Sequence, residues 1–292
     1  MTSESRGLFL GTIAVVMFGL TLPVTRFISP HLDPIFIGLG RASFAAVLAA
    51  LFLFISRLPI PSRKQFKQIS LVALGVVIGF PVCSAWAMQS LPASHGGVVL
   101  GVLPLATAAA SRLVSDERPS FSFWMVGATG SALVVGYSLL QGGGAILIGD
   151  LALFLAVLSA SFGYAIGGKL SKEMAGWQVI SWALVIAFPV TLIPTIHFAP
   201  DDLTQIDEAT IIGFLYLALV SQLFGFFIWY KALAIGGIAR VSQAQLLQPF
   251  VTLLVSAWVL SETVSAITYL FIIAVVAIVA IGKKMPIYSK SQ

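Results

Sequence analysis

Charge is what this chain has least of. Of its 292 residues only 9% are Asp, Glu, Lys or Arg, against 59% hydrophobic, and the mean hydropathy is +1.02. A soluble globular domain carries roughly a quarter of its residues as charges, so the composition excludes that class. Cysteine occurs once, at Cys83, which excludes an internal disulfide and any metal site built from several thiols. No Gly-x-x-x-x-Gly-Lys-Ser/Thr sequence occurs, so the chain lacks the loop that cradles nucleotide phosphates, and ATP hydrolysis is not expected. Acidic residues are missing from the centres of the apolar runs: Asp33 and Asp150 stand at run starts, Glu117 and Glu262 at joints. A carboxylate proton relay therefore has no support in the sequence, and His95 and His197, near run ends, read as interfacial packing. An intramembrane enzyme needs acid, base and nucleophile converging at one depth, and a channel needs repeated filter sequences. Neither pattern is found.

What is present is one apolar run after another. A hydrocarbon core of about 30 Å takes about 20 apolar residues per helix. The chain supplies ten such runs, at 7–29, 33–56, 67–90, 94–114, 120–140, 149–171, 175–197, 209–233, 237–260 and 264–282. Stretches such as 45–55 and 270–281 are apolar on every face, without the period-two alternation of a membrane barrel. The predicted fold class is an all-α integral membrane protein with ten transmembrane helices. The first run is too long for a signal-peptide core and ends without a small-residue cleavage site, so it reads as a retained helix. The joints on one side collect Arg6, Arg57, Arg63, Lys64, Lys67, Arg112, Arg118, Lys169, Lys172, Lys231, Arg240, Lys283, Lys284 and Lys290. The longest opposite joint carries Asp201, Asp202, Asp207 and Glu208 without a Lys or Arg. Basic residues mark the cytoplasmic side, so both termini are expected there, with the chain in the cell (inner) membrane. The net charge of +5 is spent in these joints and implies no nucleic-acid partner. The expected partners are the lipid bilayer and a small-molecule substrate. No cofactor is implied, and a monomer is the simplest reading of a sequence that leaves oligomeric state open.

An internal repeat shows in the spacing. Pro104, Thr107 and Glu117 recur as Pro249, Thr252 and Glu262, each 145 residues on, and a Trp stands upstream of each Pro, at Trp86 and Trp229. Five crossings per copy place the second copy upside down, which defines a first five-helix repeat at 7–140, an inverted second at 149–282 and a tail at 283–292. Inverted repeats mark secondary transporters, with the substrate site near the midplane where the copies meet.

The segments "VLPLATAAASRLVSDERPS" and "LQPFVTLLVSAWVLSETVS" carry a resemblance to the drug/metabolite transporter superfamily in its ten-helix form with two EamA domains. Arg41, in "IGLGRASFAAVLAALFLF", is similar to the Arg common in that family's second helix. The resemblance runs over 7–282 and implies export of small metabolites by alternating access. Amino acids come first, with amines or cationic drugs as the alternative reading. It also resembles the YddG-like amino-acid exporters, whose central cavity is ringed by aromatic residues. Phe80 stands at one such position, whereas Leu100, Gly101, Val102 and Leu103 before Pro104 include no ring.

Candidate site residues are polar or aromatic positions on one face of an apolar run. Ser242, Gln245, Gln248, Pro249 and Thr252 form one stripe of the ninth run. Gln245 and Gln248 either line the cavity or bond neighbouring helices, the latter worth about 0.6 kcal/mol per bond. The eighth run offers Ser221, Gln222, Gly225, Phe226 and Trp229, the sixth Ser159, Ser161, Phe162 and Tyr164, the first Phe18 and Thr21, and the third and fourth Phe80, Ser84 and Gly101. Pro23, Pro81, Pro104 and Pro249 are candidate hinges, because proline removes a helix hydrogen bond. Glycines four apart at 75 and 79, 97 and 101, and 163 and 167 permit close helix approach. Arg26 lies near its run's end and reaches the interface. Arg41 lies roughly 12 Å from the outer end of its run. There it either attracts an anionic substrate group or pairs with Asp33, Asp150 or backbone carbonyls. With no acid at the run centres, transport is expected to be facilitated, with loose or no proton coupling.

Overall fold

The computed structural model describes residues 3–114, 117–141, 147–202, 204, 206–283 and 287–289. In chain order the helical segments are α1 (Ser5–Ile28), α2 (Phe36–Ile55), α3 (Arg63–Ser90), α4 (Ala93–Val114), α5 (Phe121–Gln141), α6 (Ile148–Leu170), α7 (Gly176–His197) and α8 (Glu208–Gly236). They are followed by α9 (238–259) and α10 (Ala266–Lys283). Seven of them, α1 to α4 and α6 to α8, are long and apolar enough to cross a membrane. That is fewer than the ten expected. The apolar stretches of α5 and α10 are shorter, and α9 is divided into Ile238–Val241, a 3-10 segment Ser242–Leu247 and Gln248–Val259. The fold is helical but not wholly so: β1 (Glu117–Pro119) pairs antiparallel with β2 (Ile287–Ser289), tying the α4–α5 joint to the C-terminal tail.

The four candidate hinge prolines share one position. Each stands in the first turn of a new α-helical stretch, where a missing N–H costs little. Pro23 is in Thr21–Ile28, Pro81 in Phe80–Ser90, Pro104 in Leu103–Val114 and Pro249 in Gln248–Val259. The break before each differs: a turn at Leu20, a π-helical stretch Ala73–Gly79, a turn at Gly101 and Val102, and the 3-10 segment of α9. The helical path continues through these points, with Leu20, Gly79 and Leu247 in right-handed helical dihedrals, while its hydrogen-bonding pattern changes. A second π-helical stretch, Tyr216–Phe224, lies in α8.

Interrupted hydrogen bonding leaves backbone carbonyls without donors, and lipid supplies none. Two such carbonyls are satisfied by side chains from far along the chain. Pro23 has no N–H for the Gly19 carbonyl, and the Thr252 hydroxyl donates to it at 2.8 Å. In α3 the Phe80 N–H turns to Gly75 and Pro81 has none, which orphans the Val76 carbonyl. Gln222 Nε2 donates to it at 3.0 Å.

Packing follows a regular scheme: α1 lies on α8 and α9, α6 on α3 and α4, α2 on α7, α4 on α9, and α5 on α10. Adding or subtracting five carries α1–α8 and α1–α9 into α6–α3 and α6–α4, and the other three pairs into themselves. The closest approach to another backbone is at Gly75, where an added Cβ would meet the Ser159 backbone oxygen at 2.5 Å. Gly75→Ala is therefore expected to destabilise the protein by about 1–3 kcal/mol, the range for overpacking a close contact. Gly136→Ala, which meets nothing within 4 Å, is expected to be neutral or slightly stabilising. Thermal unfolding of both variants in detergent checks the contrast.

Candidate substrate site

Three helices bring four rings together. Phe18 of α1 lies 5.1 Å from Phe226 and 6.1 Å from Trp229 of α8, and 6.4 Å from Tyr164 of α6. Tyr164 closes the group, 5.9 Å from Phe226 and 5.4 Å from Trp229. Gly225 makes room for this arrangement, since a Cβ there would meet the Phe18 ring at 2.7 Å. The cluster is closed in this structure: none of the four is more than 5% exposed. Such rings offer apolar area and electron-rich faces to a small amphipathic molecule.

A column of polar side chains runs along α9. In a 3-10 helix residues three apart eclipse one another, so Ser242 and Gln245 align along one line that Gln248 continues. All three are buried. Both amide atoms of Gln245, the Gln248 Oε1 and the Trp229 Nε1 have no hydrogen-bond partner among the described residues. The neighbouring line of the same helix, Val241 and Ala244, comes up to Trp229 across α1. A Cβ on Gly11 would touch Val241, Ala244 and Trp229 at 2.8, 3.6 and 3.7 Å. Each unbonded buried group costs about 1–3 kcal/mol, a cost that a polar ligand at this place would relieve.

Other nominated residues do different work. Gln222 is committed to the Val76 carbonyl, and Thr21 to the Ser221 hydroxyl at 2.9 Å, so both tie helices together. Ser84 and Ser161 donate to carbonyls of their own helices, at Pro81 and Leu158. Phe80 packs in the main core. Gly101 is a helix contact, its place for a Cβ filled by Val275 at 2.7 Å and Pro249 at 3.5 Å. Phe162 is 42% exposed on the outer surface, because two residues from Tyr164 is about 200° around a helix. The Trp86 and Trp229 match fails for the same reason. They lie 143 rather than 145 residues apart, and Trp86 is exposed while Trp229 is fully buried. The residue 145 before Trp229 is the buried Ser84.

Of the partners expected for Arg41, neither acid is engaged with it. Asp33 accepts from the Ile35 N–H in an exposed turn, and Asp150 bonds His95. Arg26 donates to the Met88 and Gln89 carbonyls at 2.6 and 2.8 Å, closing the end of α3.

The His95–Asp150 pair was not visible in the sequence, which placed both residues near helix ends. Both are buried, with His95 Nε2 2.6 Å from Asp150 Oδ1, and the second carboxylate oxygen accepts from the Leu147 N–H. The first turn of α4 folds His95 inward because Glu262 holds it from the α9–α10 joint, accepting from the N–H groups of Ala93 and Ser94 at 2.9 and 3.1 Å. A cavity of about 580 Å³ lies alongside, lined by His95, Tyr137, Glu262, Ser265 and Thr268 among others. A separation of 55 residues carries no local signal for such a pair. Among the described residues no three His, Cys, Asp or Glu side chains come together as a metal site.

Crossing-length apolar helices around a closed centre of rings and unbonded polar groups define a multi-pass membrane protein of the transporter class. The family model described as the EamA-like transporter family matches residues 5–139 and again 147–281. The chain belongs to that family, and it is a transporter rather than an enzyme. It is similar to the uncharacterized transporter YdeK of Bacillus subtilis (strain 168), at 41% identity over 284 residues, which is 97% of this chain and 99% of that protein. It is also similar to a probable amino-acid metabolite efflux pump of Salmonella typhimurium, at 26% identity over 275 residues and 88% of each chain. One crystal structure of another chain superposes with a TM-score of 0.66 over 96% of this chain and 99% of that one. At 13% identity it is a likeness of fold alone.

Asp150→Ala is expected to cost about 1–3 kcal/mol, because it leaves the His95 ring and the Leu147 N–H without their acceptor in the interior. Asp150→Asn, which keeps an acceptor, is expected to cost less. Melting temperatures in detergent give the comparison.

Proposed function

We propose that this chain exports small metabolites, amino acids first among them, by alternating access around the ring-and-glutamine centre. In this reading all ten helical segments cross the cell (inner) membrane, with both termini in the cytoplasm. Residues 7–140 and 149–282 form two five-helix copies of opposite orientation. The twofold match of the family model and the packing scheme that repeats on shifting by five support that arrangement. The relatives named as amino-acid metabolite efflux pumps support the substrate class. A single copy of the chain suffices, since the centre is drawn from α1, α6, α8 and α9 of one molecule. The breaks before Pro104 and Pro249 serve as hinges, because α4 and α9 pack on each other there.

The observation that carries the proposal is Gln245, wholly buried with both amide atoms unbonded among the described residues. A residue serving only to join helices would be bonded, as Gln222 is. Gln245→Ala is expected to fold normally and to lower counterflow of an accepted amino acid at least tenfold in proteoliposomes. Wild-type flux in that variant, for every accepted compound, sinks the site assignment. Saturable counterflow supports a carrier, whereas unsaturable conductance would make the chain a channel.

A further inference from the structure

Arg41 is a cation buried within the helical core. It is 2% exposed, and its Nε is enclosed without a hydrogen-bond partner among the described residues. Asp150, the buried acid, pairs with His95, and no described carboxylate makes an ion pair with Arg41. Its orientation is set by its neighbours. Ser43 bonds Thr191 and Thr195 of α7, and residue 41, about 200° around from Ser43, faces away from that seam. On that side it comes within electrostatic reach of the Tyr164 hydroxyl, a member of the ring cluster.

A guanidinium keeps its charge, and burying it unpaired is costly. Its planar fork of N–H donors fits a carboxylate with two parallel bonds. The described acids all stand at helix starts or in joints, so nothing of opposite sign faces the rings. An incoming amine without a carboxylate would meet a bare positive charge. An incoming carboxylate would meet its counter-ion, with ring faces beside it for an apolar side chain or an ammonium group.

We propose that Arg41 receives the carboxylate of the transported molecule, so that the site takes small apolar or aromatic monocarboxylates, amino acids included, and rejects the corresponding amines. This deepens the transporter reading and rests on it.

The test is competition and counterflow with wild-type protein in proteoliposomes, using phenylalanine, 3-phenyllactate and phenethylamine, and the matching series built on leucine. The acids are expected to be carried at least tenfold better than the amines, and to raise the melting temperature in detergent where the amines do not. An amine carried as well as its acid overturns the inference. So does transport of other solutes with no effect of any acid, an outcome that leaves the transporter reading standing. Absence of saturable flux for every solute overturns both. Arg41→Met separates recognition from structure. With no ion pair among the described residues to lose, this variant is expected to melt no lower than the wild type, and its acid-to-amine preference is expected to fall at least tenfold. A lower melting temperature with the preference unchanged makes Arg41 a structural cation and overturns the proposal.

Discussion

Inside a bilayer a carbonyl that loses its helix partner finds no water to replace it. That constraint governs this protein, because the hydrogen bonding of its helices is broken at the four prolines that begin new helical stretches. The carbonyls of Gly19 and Val76 lose their donors in this way, and Thr252 and Gln222 supply new ones. Both donors come from the second half of the sequence and both acceptors from the first. The bonds that make the breaks tolerable are thus also bonds that hold distant segments together, α9 to α1 and α8 to α3.

The same constraint separates structural from functional polar groups. Gln222, Thr252, Thr21 and Ser221 are all bonded. Gln245, the Trp229 indole nitrogen and the Arg41 Nε are equally buried and are unbonded among the described residues. Unbonded buried atoms also occur at Thr25, Gln68, Ser181, Thr210 and Gln243, and Gln245 stands out among them because both of its amide atoms are open. In the proposed reading the Gln245 amide, the Trp229 indole and the Arg41 guanidinium are the open groups that a polar, partly apolar guest would meet. The His95–Asp150 pair is a different centre. It is fully engaged, stands at the starts of α4 and α6, and borders its own cavity.

Much of this was legible in the sequence because hydrophobicity and helical period act locally. The apolar runs, the paired Pro104 and Pro249, and the stripe through Ser242, Gln245 and Gln248 need no knowledge of partners. The inward set Phe18, Tyr164, Phe226 and Trp229 came from the same reasoning. What was illegible depended on phase or on long-range contact. A slip of two residues turned Phe162 and Trp86 to the outside. The 3-10 and π-helical stretches shift register without an obvious mark in composition. The contacts Gln222 to Val76 and His95 to Asp150 join residues far apart along the chain, and no spacing announces them.

The central claim is that the unbonded polar centre opens to water and substrate during transport, although it is closed in this structure. Cys83 is the chain's only cysteine, so a Cys83→Ser background accepts a single reporter thiol. Gln245→Cys in that background should react with a membrane-impermeant maleimide added to either face of sealed vesicles, and an accepted substrate should slow the reaction. A thiol at this position that stays inert from both faces, while an exposed control such as Ile60→Cys labels, would contradict the account.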